Sequence, residues 1–176
     1  MPAHPAKGRE RQYVSEGAVQ LLNKTNQLNL ATRGLTGAQL HDWLKAPGRY
    51  GWCFRLTDRF GDSGITGVLS IERTGDIGDI RDFVISCRVM GRKLEETVLH
   101  VAITFARAAG LLEVRARYEP TPRNMPCLEF LQRAGFPDRE GEHVFIWHTR
   151  RDYPLPEAVT CSLTWNEAAA ACPARS

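Results

Sequence analysis

Residues Ser86-Cys87-Arg88-Val89-Met90-Gly91-Arg92-Lys93-Leu94-Glu95 set a thiol, three cations and a glycine between two regular patterns. The apolar run Ile80 to Ile85 before them reads as a strand. The residues from about Lys93 to Ala109 after them read as a helix. A strand therefore feeds a helix through a short turn. The first N–H groups of a helix have no acceptor within it, and the helix dipole makes that end positive. A turn of this kind grips phosphate. In this reading the grip is Arg88, Val89, Met90, Gly91, Arg92 and Lys93. Backbone amides around Met90 to Lys93 bond the phosphate, and Arg88, Arg92 and Lys93 add charge. Cys87 lies at the same mouth. A phosphate grip beside a thiol suits the handling of phosphopantetheine thioesters.

The elements that must position this turn follow from the pattern on either side. Glu16 to Asn23 reads as a short helix and Gln27 to Thr32 as a short strand. Thr36 caps a helix through Lys45 that Pro47-Gly48 ends. Gly51–Thr57 and Ile65–Glu72 are strands around the turn Arg59 to Gly64, a hairpin signal. Ile80–Ser86 is the next strand, and Leu94–Ala109 is a long amphipathic helix stopped by Gly110. Leu112–Tyr118 is a strand broken by Pro120 and Pro122. Asn124–Ala134 is a helix ending at Gly135, and His143–His148 is a strand. A further strand is expected around Thr160 to Trp165. Hairpins mixed with strand–helix–strand crossovers give an α+β fold, a mixed sheet with helices on both faces. The expected division is a flexible start over 1–12, one domain over 13–166 and a flexible tail over 167–176.

Composition narrows the class. With 176 residues, 43% of them hydrophobic and 24% charged, the chain suits one globular domain with a real core. No apolar run approaches the roughly 20 residues of a membrane helix. Met1 to Arg11 lacks the apolar centre of a signal peptide, so the expected location is cytoplasmic, without membrane contact. A net charge of +3 is too mild to indicate nucleic acid. The five cysteines form no CxxC pair, which suggests neither a zinc site nor a disulfide framework. The five histidines are scattered without metal spacing.

Three other groups of residues are candidates. Asn23 to Arg33 is dense in amides and hydroxyls. Amides at strand ends commonly serve turns. Alternatively Asn26, Asn29, Thr32 and Arg33 line the site of a polar acyl group and give specificity for hydroxylated substrates. Asp58 and Asp62 flank the hairpin turn, where a carboxylate usually caps its own backbone. Asp62 is otherwise a base or an orienting group. Asn124 opens a helix and suits an N-cap.

Arg88-x-x-Gly91 before a long helix resembles the acyl-coenzyme A loop of the GNAT (GCN5-related N-acetyltransferase) superfamily. Lys93 stands where that pattern has a small residue. Asn124 to Phe136 resembles the last GNAT segment, in which a tyrosine often protonates the leaving thiolate. Leu131 holds that position here, leaving Tyr118 or a water to replace it. The resemblance implies a mostly antiparallel GNAT-like sheet. It also implies that the strands near Ile80–Ser86 and Leu112–Tyr118 diverge to admit a pantetheine arm, carried by coenzyme A or by a carrier protein.

A narrower resemblance covers most of residues 19 to 150. Asn23 to Arg33, Asp58-Arg-Phe-Gly-Asp62, Ile85 to Arg92 and Tyr118 to Asn124 together look like the GNAT-like half of FkbH-like proteins. That implies loading of a three-carbon glyceryl unit onto an acyl carrier protein in polyketide biosynthesis. In that family a cysteine holds the acyl group, and Cys87 matches it. Thioester exchange needs little driving force, so a cysteine relay is chemically sound, given an accessible thiol. The catalytic candidates are thus Cys87, Asn124 and Asp62, and Arg123 is placed to meet an acidic carrier. No DxDxT-like motif occurs in these residues. The expectation is a separate haloacid dehalogenase-like phosphatase, or a ready-made thioester donor. Two rival expectations remain: a coenzyme A-dependent N-acetyltransferase of a small amine, and a non-catalytic module that docks carrier protein.

Overall fold

Period-two alternation in the middle of the chain builds a sheet that helices cover on both faces. The computed structural model describes residues 9–25, 27–31, 33–59, 61–157 and 159. The order is α1 (Arg9–Lys24), β1 (Leu28–Asn29), α2 (Gly37–Lys45), β2 (Arg49–Asp58), β3 (Gly61–Thr74) and β4 (Ile77–Ile85). A one-turn 3-10 helix (Cys87–Val89) follows, then α3 (Leu94–Ala108), β5 (Glu113–Arg117), α4 (Met125–Arg133), β6 (Asp138–Glu140) and β7 (Val144–His148). The sheet runs β2-β3-β4-β5-β7-β6, with β1 on β4. It is antiparallel except between β4 and β5, where α3 makes the crossover that parallel strands require. The α+β expectation therefore holds.

The faces follow from the pleat of β4. Phe83 and Ile85 join Val98, Leu99 and Ala102 of α3 and Phe130 of α4 in the larger core. Val84, between them, packs on the other face with Ala18, Leu21 and Leu22 of α1 and Leu40 of α2. Thr36 caps α2 as expected, in a reciprocal capping box with Gln39. No helix among the described residues is long and apolar enough to cross a membrane.

Some boundaries differ from the sequence reading. Helix α1 spans Arg9–Lys24 and so starts before Glu16, where the sequence reading began it. Strand β4 begins at Ile77, because Gly75-Asp76 turns β3 directly into it, with Gly75 at φ +62°. Strand β6 has no counterpart in the sequence reading; its residues Asp138, Arg139 and Glu140 are all exposed, a charged edge strand. The expected strand near Thr160 to Trp165 and the tail 167–176 lie outside the described residues.

Strands β4 and β5 pair from Ile77↔Glu113 to Ile80↔Ala116 and then part. The gap between them is occupied. Leu28 and Asn29 pair with Ile85 and Val84 of β4. The Leu30 N–H donates to the Phe83 carbonyl, and the Glu119 N–H donates to the Leu30 carbonyl. Beyond Ile80 the edge of β4 is thus satisfied by the chain itself.

Candidate functional site

The loop after β4 is shaped by its own hydrogen bonds. The Ser86 hydroxyl accepts from the Arg88 amide and caps the one-turn helix Cys87–Val89. The Arg88 guanidinium also donates to that hydroxyl, at 3.3 Å. Gly91 (φ +76°) and Lys93 (φ +67°) both take left-handed backbone before α3 begins. Glycine does so freely, whereas in lysine it costs about 1–2 kcal/mol. Lys93→Gly is therefore expected to raise stability by about 1 kcal/mol. Urea melts check this, and a lower midpoint would show that the lysine contributes more than its strain. The Lys93–Glu96 ion pair that the change removes is exposed and worth little.

A groove with a volume of ≈ 410 Å³ opens against this loop, within the usual range for small-ligand sites. Met90, Gly91 and Lys93 form one wall, and Pro126, Phe130 and Arg133 of α4 form the other. Leu28 also lines it. An arm entering the gap therefore meets the β1 segment, not a bare strand edge. The first-turn amides of α3 have no acceptor within the helix. Three of the six predicted grip residues, Met90, Gly91 and Lys93, line the groove.

The grip is modified in two respects. Arg92 donates to Asp58 at 2.7 Å, so its charge ties the β2–β3 hairpin to the loop. The Gly91 N–H donates to Glu95 Oε1 at 2.9 Å, the Arg92 N–H to the Val89 carbonyl at 3.2 Å and the Met90 N–H to the Cys87 carbonyl at 3.5 Å, so three of the loop amides expected to bond the phosphate are already engaged. The exposed Arg88 and the fully buried Val89 lie beside the groove without lining it.

The other predicted residues separate into two kinds. Cys87 is exposed, on the turn that leads into the loop. Asp62, expected as a catalytic group, serves its turn instead: Oδ1 accepts from the Gly64 amide, and Oδ2 accepts from Arg55. The Gly64 amide first, and then Arg55, hold its carboxyl below the ordinary range. That makes it a poor base.

Asn124, also expected to be catalytic, is a buried brace. Its Nδ2 donates to the Asn29 and Glu119 carbonyls, and its Oδ1 accepts from the Tyr118 hydroxyl and the Thr121 amide. Asn29 is equally committed, donating to the Thr25 carbonyl and accepting from the Ala31 amide. Its amide is engaged in turn chemistry. Arg33 pairs with the buried carboxylate of Asp82 through Nε at 3.0 Å and through Nη2. Ser70 donates to the same carboxylate. Asn26 and Thr32 lie outside the described residues. No group of three or more His, Cys, Asp or Glu among the described residues is placed to hold a metal.

Tyr118, left by the sequence to replace the missing tyrosine, is buried, and its hydroxyl donates a hydrogen bond to Asn124. Burial first, and nearby Cys127 second, raise its pKa. Burial also pushes the Cys127 thiol from 9.0 up to about 12. The unfolded chain therefore gives up these protons before the folded one does. Stability is full below about pH 9 and is lost as pH rises toward about 12. Urea midpoints should fall between about pH 8 and about pH 11. Cys127→Ala should flatten that slope, and an unchanged slope would contradict the assignment.

Sequence reasoning missed the α4 wall, Leu28 and Glu95. A signal for Glu95 existed. It shares a face with Val98, Leu99 and Ala102 at helical spacing, and all four are buried.

No family model and no curated protein matches this sequence. Solved structures do match. A domain from Methanocaldococcus jannaschii is 14% identical with a TM-score of 0.57, covering 77% of this chain and 92% of that one. An acetyltransferase of the GNAT family from Staphylococcus aureus is 10% identical with a TM-score of 0.54, covering 82% and 97%. The ribosomal-protein-S18-alanine N-acetyltransferase of Escherichia coli is 8% identical with a TM-score of 0.53, covering 84% and 93%. The mixed sheet, the single parallel β4–β5 pair and the groove at the start of α3 belong to a chain with the GNAT fold.

Proposed function

We propose that this protein is an acyltransferase that moves a small, glyceryl-type acyl group to the phosphopantetheine thiol of an acyl carrier protein. The observation that carries the reading is the groove between the Met90–Lys93 loop and α4. Its loop end offers first-turn amides to a phosphate. Leu28, of the β1 segment that fills the β4–β5 gap, also lines the groove. Charges along it are mixed, Lys93 and Arg133 against Glu95, Glu96 and Glu129. That balance suits the single phosphodiester of a carrier-borne arm better than the several phosphates of free coenzyme A.

The exposed thiol of Cys87 favours a covalent relay. The Cys87 thiolate attacks the thioester carbonyl, the carbonyl–sulfur bond to the donor breaks, and the donor leaves as a thiolate that takes up a proton. A second carrier thiol, deprotonated, then attacks the acyl-cysteine and frees Cys87. Neither step needs a strong acid or base, because each exchanges one thioester for another and a thiolate is both the attacking and the leaving group. That fits a site with Leu131 at the usual tyrosine position and with Tyr118 occupied.

The second reading is a coenzyme A-dependent N-acetyltransferase of a small amine. Its support is the shared fold of the Escherichia coli protein, an N-acetyltransferase of an alanine. An amine with a pKa near 10 must first lose a proton, so this reading needs a base at the acyl end.

Intact-protein mass spectrometry separates the readings. Wild type and Cys87→Ala are incubated with glyceryl-loaded carrier, and separately with acetyl-coenzyme A and amines. The expected result is a glyceryl adduct on wild type that the variant lacks, with the carrier discharged. Carrier discharge untouched by the substitution would remove Cys87 from the pathway and leave the acyltransferase. An inert carrier together with consumed acetyl-coenzyme A would establish the second reading.

A further inference from the structure

Two cations line the groove, Lys93 on the loop wall and Arg133 on the α4 wall. They differ in what they are free to do. Lys93 donates to Glu96 at 3.0 Å, so its charge is spent within its own wall. Arg133 is exposed and makes no ion pair among the described residues. Its Nε donates to the Glu129 carbonyl at 3.2 Å. That bond lays the side chain back over the turn that carries Glu129, which lines the groove too. Glu129 and Arg133 stand at the spacing at which a carboxylate and a guanidinium commonly pair on a helix. Here the backbone oxygen takes Nε instead, and Nη1 and Nη2 are bonded to nothing among the described residues. Arginine presents such nitrogens as a planar fork that fits two oxygens of one phosphate.

The place of this fork along the groove is fixed as well. Pro126, Glu129, Phe130 and Arg133 form one face of α4. Beside Pro126, Asn124 donates to the carbonyl of Asn29, the neighbour of Leu28. Arg133 is two helical turns further on, about 10 Å along the axis. Leu28 and Arg133 therefore mark opposite ends.

We infer that Arg133 is a binding residue that clamps the phosphate of a phosphopantetheine arm from the α4 wall, through Nη1 and Nη2. The inference rests on the reading of the groove as a phosphopantetheine site. It moves the charge of the phosphate site from the strand–helix turn to the helix that faces it. Of the three turn cations, Arg92 is tied to Asp58, Lys93 to Glu96, and Arg88 does not line the groove. Glu95, Glu96 and Glu129 also line it, so an anion settles only where a cation offsets them. Arg133 is the lining cation that no carboxylate has taken.

The test is calorimetric titration of 4′-phosphopantetheine, and of pantetheine without the phosphate, into wild type, Arg133→Gln and Arg133→Lys at low salt. Wild type is expected to bind the phosphorylated compound about tenfold more tightly than pantetheine. Arg133→Gln is expected to lose most of that preference while binding pantetheine as wild type does, a split that a damaged fold would not give. Arg133→Lys, which keeps the charge without the fork, is expected to fall between. A full phosphate preference in Arg133→Gln would overturn the inference and leave the groove reading intact. Equal weakening of both compounds would do the same, marking Arg133 as a support of the wall. Equal binding of the two compounds by wild type would also overturn it. Binding of neither compound by wild type would overturn the groove reading and this inference together. Holo carrier protein and coenzyme A carry the same phosphate and are titrated alongside. Arg133→Gln is expected to weaken the holo carrier; weakening of coenzyme A alone would keep the clamp and overturn the carrier as its source.

Discussion

Asp82→Ala is expected to cost about 3–5 kcal/mol of folding stability, which lowers Tm by roughly 10 °C or more in a domain of this size. The Asp82 side chain is fully buried, and it is held by both the Arg33 guanidinium and the Ser70 hydroxyl. Removing it strands most of a guanidinium, 22% exposed, under the α1–α2 face. The Trp43 ring over Arg33, at 5.2 Å, cannot replace a carboxylate. The asymmetry is the test. Breaking one partner leaves a buried charge alone, whereas removing both removes the problem. The double variant Arg33→Met with Asp82→Leu should therefore recover much of the loss. Urea melts of Arg33→Met, Asp82→Leu and the double measure it. A double variant as weak as the sum of the singles would show that the pair is not coupled.

Asn124→Ala is the second large effect, expected at about 2–4 kcal/mol. All four hydrogen bonds of this amide are made, and the residue is 1% exposed. Alanine leaves the Asn29 and Glu119 carbonyls and the Thr121 amide without their partner in a dry site. Asn124→Asp should be at least as harmful, because it turns an oxygen toward two carbonyl oxygens. Both variants loosen the β1 segment, which carries Leu28 at the end of the groove. Hydrogen exchange should speed up at the Leu30 and Glu119 amides, which tie β1 to β4 and to the β5–α4 loop. If stability fell while those two amides kept their protection, the brace would not be what holds β1 in the gap.

These two residues also show what was legible in the chain. Strands, helices and their order could be read, because apolar period and turn chemistry are local. The Thr36 cap and the Gly110 stop are local signals of that kind. The site was less legible, because its decisive contacts join distant segments. Asn124 looks like an N-cap from its neighbours, yet its amide reaches the Asn29 carbonyl across the fold. Arg33 sits in a polar stretch that suggests substrate binding, yet its partner is Asp82 on β4. The one acid within the apolar run Ile80 to Ile85 was the available hint. Nothing local says that Leu28 and Asn29 enter the gap beside β4. Glu95 resembles the ordinary acid that favours a helix start; only its position on the buried face of α3 marks it as different.

The central claim is that the groove beside the Met90–Lys93 loop receives a phosphopantetheine arm. Hydrogen–deuterium exchange of the protein with and without glyceryl-loaded carrier protein tests it most directly. Exchange is expected to slow over residues 90–96 and 126–133, the two walls of the groove. Apo carrier, which lacks the arm, should give little or no protection there. Protection confined to other surfaces, or equal protection from loaded and apo carrier, would contradict it.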